Sequence, residues 1–105
     1  MAQFTDIDVA GLQTLLQQGG VQLVDVRTDA EIARGFIPGA RKLPLHLLPL
    51  RLGELHSATP TVFYCQMGGR SAQAAAFAQA QGFGEVYNLQ GGIVAWTRAG
   101  APVTV

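Results

Sequence analysis

Apolar and polar positions in this chain switch repeatedly between the period of a strand and the period of a helix. Gln3 to Ile7 reads as a short strand. Asp8 can then cap a helix in which Val9, Leu12, Leu15 and Leu16 recur at helical spacing until Gly19-Gly20 stop it. Val21 to Val26 is a compact apolar strand, and Thr28-Asp29-Ala30-Glu31 fits a capping box that opens a brief helix closed by Gly35. After the turn Ile37-Pro38-Gly39, Arg41 to Leu45 reads as a third strand. Pro49 suits a first helical position, and Leu48, Leu52 and Leu55 share one helical face. Thr61 to Tyr64 is a fourth apolar strand, running straight into Cys65. Ser71 to Gln81 is helical by its alanine content and ends at Gly82. Glu85 to Leu89 is a last strand, and Gly91-Gly92 lead into a helix from Ile93 to Arg98.

Strands that are apolar along their whole length, separated by helices, predict an α/β fold. The expected architecture is a mainly parallel central sheet with helices on both faces and ligands at the carboxyl ends of strands. Cys65 stands at one such end, and Asp25 and Arg27 at another. A chain of 105 residues is expected to form one domain, residues 1–105, and no repeat, linker or low-complexity stretch interrupts the pattern.

Composition narrows the function. Hydrophobic residues make up 49% of the chain and charged ones 13%, which suits a globular protein with a well-supplied core. Seven basic and seven acidic residues balance, with no run of either sign, so neither a nucleic-acid nor a membrane partner is expected and any anion must be bound locally. No apolar stretch approaches the ~18 residues of a membrane span, and Met1 to Asp6 lacks the basic and apolar regions of a leader. The expected location is the cytoplasm. A monomer is the default expectation. One cysteine makes no intramolecular disulfide, and His46 and His56 offer no metal-ligand spacing beside it. A structural zinc site is therefore not expected.

A cysteine closing a buried strand is by default a small hydrophobe. The residues that follow Cys65 argue for chemistry instead. In Gln66-Met67-Gly68-Gly69-Arg70-Ser71, two glycines let the backbone curl, an arginine adds positive charge, and the amides opening the next helix are free to point at the sulfur. Lowering a thiol's pKa by ~1.5 units takes roughly 2 kcal/mol of preferential stabilisation of the anion. Loop amides and a helix terminus can supply it, whereas no histidine adjoins Cys65 to act as base. The residues alone thus point to a reactive thiol in an anion-binding loop.

Three segments in order resemble the rhodanese superfamily and span most of the chain. Leu23-Val24-Asp25-Val26-Arg27, continuing through Glu31 to Gly35-Phe36-Ile37-Pro38-Gly39-Ala40, is similar to the family's amino-terminal signature. Tyr64 to Ser71 resembles its active-site loop. Val86 to Trp96, followed by Gly100-Ala101-Pro102-Val103, resembles its carboxy-terminal signature. The resemblance implies a sulfurtransferase that needs neither a metal nor an organic cofactor. Cys65 would take sulfane sulfur from thiosulfate or a low-molecular-weight persulfide, hold it as a persulfide, and pass it to a thiol or a cyanide-like acceptor. It also implies that Gln66, Met67, Gly68, Gly69, Arg70 and Ser71 bind the substrate. A carrier domain that accepts persulfide from a protein partner without turning over small donors is the alternative. Related cysteine phosphatases and arsenate reductases have loops longer by one residue. Here four residues separate Cys65 from Arg70, a smaller ring that suits sulfur better than a tetrahedral phosphate.

Other residues take supporting places. Arg70 is expected to steer an anionic donor or to anchor the loop, and Ser71 to cap a helix. Gln66 and Met67 are expected to face the pocket, where their neutrality weakens the case for thiosulfate. Asp25 and Arg27 are read as an ion pair that organises neighbouring loops. Phe36 stands where the family usually has histidine, so an apolar wall is expected there. His46 and His56 are read as surface histidines and Trp96 as core. The dense run Leu43, Leu45, Leu47, Leu48, Leu50, Leu52 and Leu55 has more leucines than one helical face can bury. It is read either as a core edge or as an exposed apolar patch that receives a protein sulfur carrier.

Overall fold

The strand that runs into Cys65 lies at the centre of the sheet and is buried along its whole length. The computed structural model describes residues 3–105, so the part of the leader reading that concerns Met1 and Ala2 lies outside the described residues. In chain order the elements are β1 (Thr5–Ile7), α1 (Val9–Gln18), β2 (Gln22–Asp25), α2 (Asp29–Ile32), β3 (Arg41–Lys42), α3 (Leu48–Arg51), β4 (Thr61–Tyr64), α4 (Gly69–Ala80), β5 (Val86–Leu89) and α5 (Gly92–Arg98). Short 3-10 turns, Leu45–Leu47 and Leu52–Glu54, flank α3.

The five strands run in the order β1-β5-β4-β2-β3, and every neighbouring pair is parallel. The expected α/β fold with a mainly parallel sheet is therefore what forms. Side chains alternate across it, as strand geometry requires. Val62 and Tyr64 join Leu12, Leu23, Leu89, Ile93 and Trp96 on one face, whereas Phe63 and Cys65 join Val24, Leu48, Ala74 and Ala78 on the other. Register aligns the carboxyl ends: Asp25 lies opposite Tyr64, and Phe63 opposite Asn88. That alignment brings Asp25, Cys65 and Asn88 to one edge of the sheet. Among the described residues, no helix is long and apolar enough to cross a membrane.

Local chemistry sets the element ends. The Asp8 carboxylate accepts from the Gly11 amide at 2.8 Å, capping α1. Thr28 and Glu31 form the expected capping box, each side chain accepting from the other's backbone amide.

Three expectations need correction. The third strand stops at Lys42: the Leu43 and Leu45 amides still donate to the Asp25 and Val26 carbonyls, but the chain turns into the 3-10 segment at Leu45. The fourth helix, α4, begins at Gly69, not Ser71. Gly68, at φ 113°, is its N-cap, so Ser71 lies inside the first turn and does not cap it. The leucine run is mostly core edge: Leu43, Leu48 and Leu55 are buried, and Leu45, Leu47 and Leu52 pack against the same cluster. Only Leu50 of the seven stands out, at 85% exposure, so the run forms no contiguous exposed apolar patch. His46 and His56 are exposed and Trp96 is buried, its Nε1 donating to the Pro102 carbonyl at 2.7 Å.

Candidate active site

The chain leaves β4 at Cys65, curls through Gln66 and Met67, and enters α4 through the left-handed Gly68. This turn folds the backbone round the sulfur. Cys65 Sγ accepts from the Gly68 amide at 3.1 Å, the Ser71 amide at 3.4 Å and the Ser71 hydroxyl at 3.3 Å. Cys65 is 1% exposed, and burial by itself pushes its thiol pKa up. The Ser71 hydroxyl and the amides of Ser71, Gly68 and Met67 outweigh burial and hold the pKa below the ordinary thiol value. A thiolate, or any anion that replaces it on this atom, is thus stabilised by donors that are already in place.

The hydroxyl of Ser71 has one proton and two acceptors in reach. Besides Sγ, it meets the Asn88 Oδ1 at 2.5 Å, and the Asn88 Nδ2 donates to the Asp6 carboxylate at 3.0 Å. The Asp6 contact fixes which way the Asn88 amide faces. Ser71 can therefore give its proton to Asn88 when sulfur is uncharged and to sulfur when it is a thiolate.

The opening of α5 supports the loop from below. The Ile93 amide donates to the Cys65 carbonyl at 2.9 Å and the Val94 amide to the Gln66 carbonyl at 3.2 Å. Gly92 makes this approach possible: it has φ 59°, and a Cβ there would overlap the carbonyls of both Cys65 and Gln66. Its neighbour Gly91 packs near Gly68.

Arg70 projects from the first turn of α4 into a two-point ion pair with Glu31, at 2.7 and 2.8 Å. Glu31 is held in turn by the Thr28 amide at 3.1 Å and the Thr28 hydroxyl at 3.0 Å. The Arg70 hydrogen bonds, set against partial burial, bring the Glu31 carboxyl from 4.5 down to about 2. Asp25 and Arg27 form a second, buried pair. The Arg27 guanidinium donates to Asp25 Oδ2 at 2.7 Å and to the Gly35 carbonyl at 2.7 Å, lying 5.8 Å from the Tyr64 ring centre. The Tyr64 hydroxyl accepts from the Ile37 amide at 3.0 Å. This set ties the segment from Arg27 to Ile37 to the end of β4.

A cavity of about 430 Å³ opens beside the loop, with Arg27, Glu31, Arg34, Gln66, Val94 and Val103 in its wall. A smaller depression, of about 250 Å³, on the Arg70 side holds Thr28, Leu45 and His46. Gln66 thus faces the larger cavity as expected. Met67 does not: its side chain is 71% exposed and outside that wall. Phe36 lines neither; its ring lies 4.8 Å below the Lys42 ammonium, and its backbone pairs with Thr104.

The structure brings Cys65 together with Gly68 and Ser71, sets Arg70 against Glu31, and holds Asp25 and Arg27 behind the loop. Sequence reasoning placed no site role on Glu31, Arg34, Asn88 or Gly92. Glu31 and Gly92 were visible as a capping residue and a helix-opening glycine, but their partners lie far along the chain. Asn88 had a fainter signal, a polar residue inside an otherwise apolar strand.

The family model described as a rhodanese-like domain matches residues 8–99. A protein from Allochromatium vinosum named a sulfurtransferase is 50% identical over 93% of this chain and 92% of its own length. A thiosulfate sulfurtransferase GlpE from Pseudomonas fluorescens is 38% identical over 91% of this chain and 87% of its own. The crystal structure of a rhodanese-related protein from Thermoplasma volcanium superposes with a TM-score of 0.88, at 28% identity, covering 96% of this chain and 98% of that one.

Proposed function

The chain belongs to the rhodanese-like domain family, and from that membership we propose that it is a sulfurtransferase working through a persulfide on Cys65. The observation that carries this reading is the sulfur cradle: one free cysteine at the carboxyl end of the central strand, its Sγ facing the Gly68 amide, the Ser71 amide and the Ser71 hydroxyl. Two relatives named sulfurtransferases, similar along nearly their whole lengths, support it.

In the first half-reaction the Cys65 thiolate attacks the outer sulfur of the donor. A new S–S bond forms, the donor's S–S bond breaks, and its electron pair leaves with sulfite or with the donor thiolate. In the second, the acceptor attacks the outer sulfur of the Cys65 persulfide and the thiolate returns. No external oxidant or reductant is needed, because the sulfane sulfur moves as a zero-valent atom and the electron pair of each broken S–S bond stays with the leaving group. The amides that stabilise the thiolate also face the negative charge of a terminal persulfide sulfur, so one set of dipoles serves both ends of the cycle. The ring of four residues between Cys65 and Arg70 favours a sulfur atom over a phosphate group. A free thiol of this kind requires a reducing compartment, which suits action in the cytoplasm.

Steady-state turnover tests the proposal. With a sulfane donor and either cyanide or a thiol as acceptor, many turnovers per Cys65 are expected, and none in Cys65→Ser. Loading that stops at one sulfur per chain would make the protein a carrier that needs a partner.

A further inference from the structure

We propose that the donor for this site is an organic persulfide bearing a carboxylate, seated in the cavity beside Gln66 with its carboxylate on Arg34, and that Glu31 disfavours thiosulfate. The inference rests on the sulfurtransferase reading above and narrows its substrate.

Three independent observations lead to it. The first is size. A cavity of about 430 Å³ falls within the roughly 300–1,000 Å³ that encloses organic ligands and is far larger than a compact inorganic dianion needs. Gln66, the residue directly after the nucleophile, forms part of its wall, and Ile93, Val94 and Val103 give that wall an apolar side suited to a carbon skeleton.

The second is charge at the loop. Arg70 is the loop's own cation, yet both ends of its fork are occupied by the Glu31 carboxylate. Thr28 also donates to the Oε1 of that carboxylate through an amide and a hydroxyl, so it is positioned before any donor arrives. A doubly charged donor approaching the loop therefore meets a neutralised pair with a carboxylate facing the cavity, and Gln66 and Met67 add no positive charge. A persulfide brings at most one charge to the loop on its reacting sulfurs, and its carboxylate is directed to Arg34 instead.

The third is the cation left over. Arg34 lies in the same cavity and has no carboxylate within ion-pair distance among the described residues, while Arg27 and Arg70 are each already paired. A donor carboxylate would give Arg34 the planar two-point partner that guanidinium groups favour. The persulfide R–S–SH would then present its outer sulfur to the Cys65 thiolate. A bond forms between Cys65 Sγ and that outer sulfur, the donor S–S bond breaks with its electron pair leaving on R–S⁻, and the outer sulfur with its proton passes to Cys65.

Rates of Cys65 loading, read by quenching and intact-protein mass, test this with three donors: glutathione persulfide, which carries carboxylates; 2-mercaptoethanol persulfide, which is uncharged outside its sulfurs; and thiosulfate. Glutathione persulfide is expected to load wild-type protein fastest. Arg34→Ala should slow that donor about tenfold, the effect of losing one charge-assisted contact, and leave the 2-mercaptoethanol persulfide within about twofold. Arg34→Lys should recover part of the loss. Glu31→Gln, which releases Arg70, should speed thiosulfate by a larger factor than it changes the rate with the uncharged donor. The proposal is overturned if thiosulfate loads wild-type protein at least as fast as glutathione persulfide, or if Arg34→Ala slows both persulfides equally. Loading by thiosulfate alone would leave the sulfurtransferase reading standing, whereas no loading by any donor would remove that reading as well.

Discussion

Gly92 and Gln66 meet backbone to backbone, with no room for a side chain between them: a Cβ on Gly92 would overlap the Gln66 carbonyl. The helix that opens at Gly92 donates its first free amides to the Cys65 and Gln66 carbonyls, so the end of one strand-helix unit holds the reactive loop of another.

Gly92→Ala is therefore expected to damage the loop as well as the fold. The left-handed conformation alone costs a residue with a Cβ about 1–2 kcal/mol, and relieving the overlap must move the loop backbone. Thermal unfolding should report the loss of stability, and sulfur loading should fall by more than that loss explains at a temperature where the variant is folded. Normal loading in a stable Gly92→Ala variant would show that α5 does not position the loop.

Ser71 is the donor most open to substitution, since its hydroxyl reaches Sγ while its amide stays in place. Ser71→Ala should raise the pH at which the thiolate appears, followed by its ultraviolet absorbance, and lower loading at neutral pH by about tenfold, the usual weight of a hydrogen bond to a charged group. Because the Cys65 pKa is held below that of a free thiol, the wild-type loading rate should level off at lower pH than for free cysteine.

The Glu31 carboxyl is lowered from 4.5 to about 2 in the folded chain. Its contribution to stability is thus complete above about pH 4.5 and is lost as the pH falls through about 2. The difference in thermal midpoint between wild-type protein and Glu31→Gln should be constant near neutrality and shrink across that acid window. For a pair this exposed its size should stay within about 1 kcal/mol. A difference that grew on acidification would contradict the assignment.

Asp25 and Arg27 predict a much larger effect. Both side chains are buried, so Asp25→Ala strands a guanidinium in the core at a cost of about 3–5 kcal/mol by urea unfolding. Replacing both together, Asp25→Leu with Arg27→Met, should recover much of that loss, apart from the part carried by the Arg27 bond to the Gly35 carbonyl. If the double variant were as unstable as the single one, the pair would be contributing through more than its own neutralisation.

Periodicity makes the alternation of strand and helix legible, because fully buried strands such as Thr61–Tyr64 and amphipathic helices such as Val9–Gln18 leave distinct patterns. The third strand was overread. Leucine supports either state, and the run from Leu43 to Leu45 keeps amide bonds to β2 while the backbone already turns into the 3-10 segment. Ser71 was read as a cap because its residue type favours one, but Gly68 takes the left-handed position and leaves Ser71 to face the sulfur. The Cys65 loop could be read because its chemistry is local. Arg70 and Glu31 are 39 positions apart, and Asn88 reaches Ser71 across 17. Such pairings depend on strand order and register, which no local pattern contains.

The central claim is that Cys65 carries sulfur, and intact-protein mass spectrometry tests it most directly. After incubation with a sulfane donor, the protein should gain the mass of one sulfur atom, located on Cys65, and lose it again on a thiol or cyanide chase, while Cys65→Ser gains nothing. A wild-type protein that gains no sulfur, or a Cys65→Ser protein that gains as much, would contradict the account.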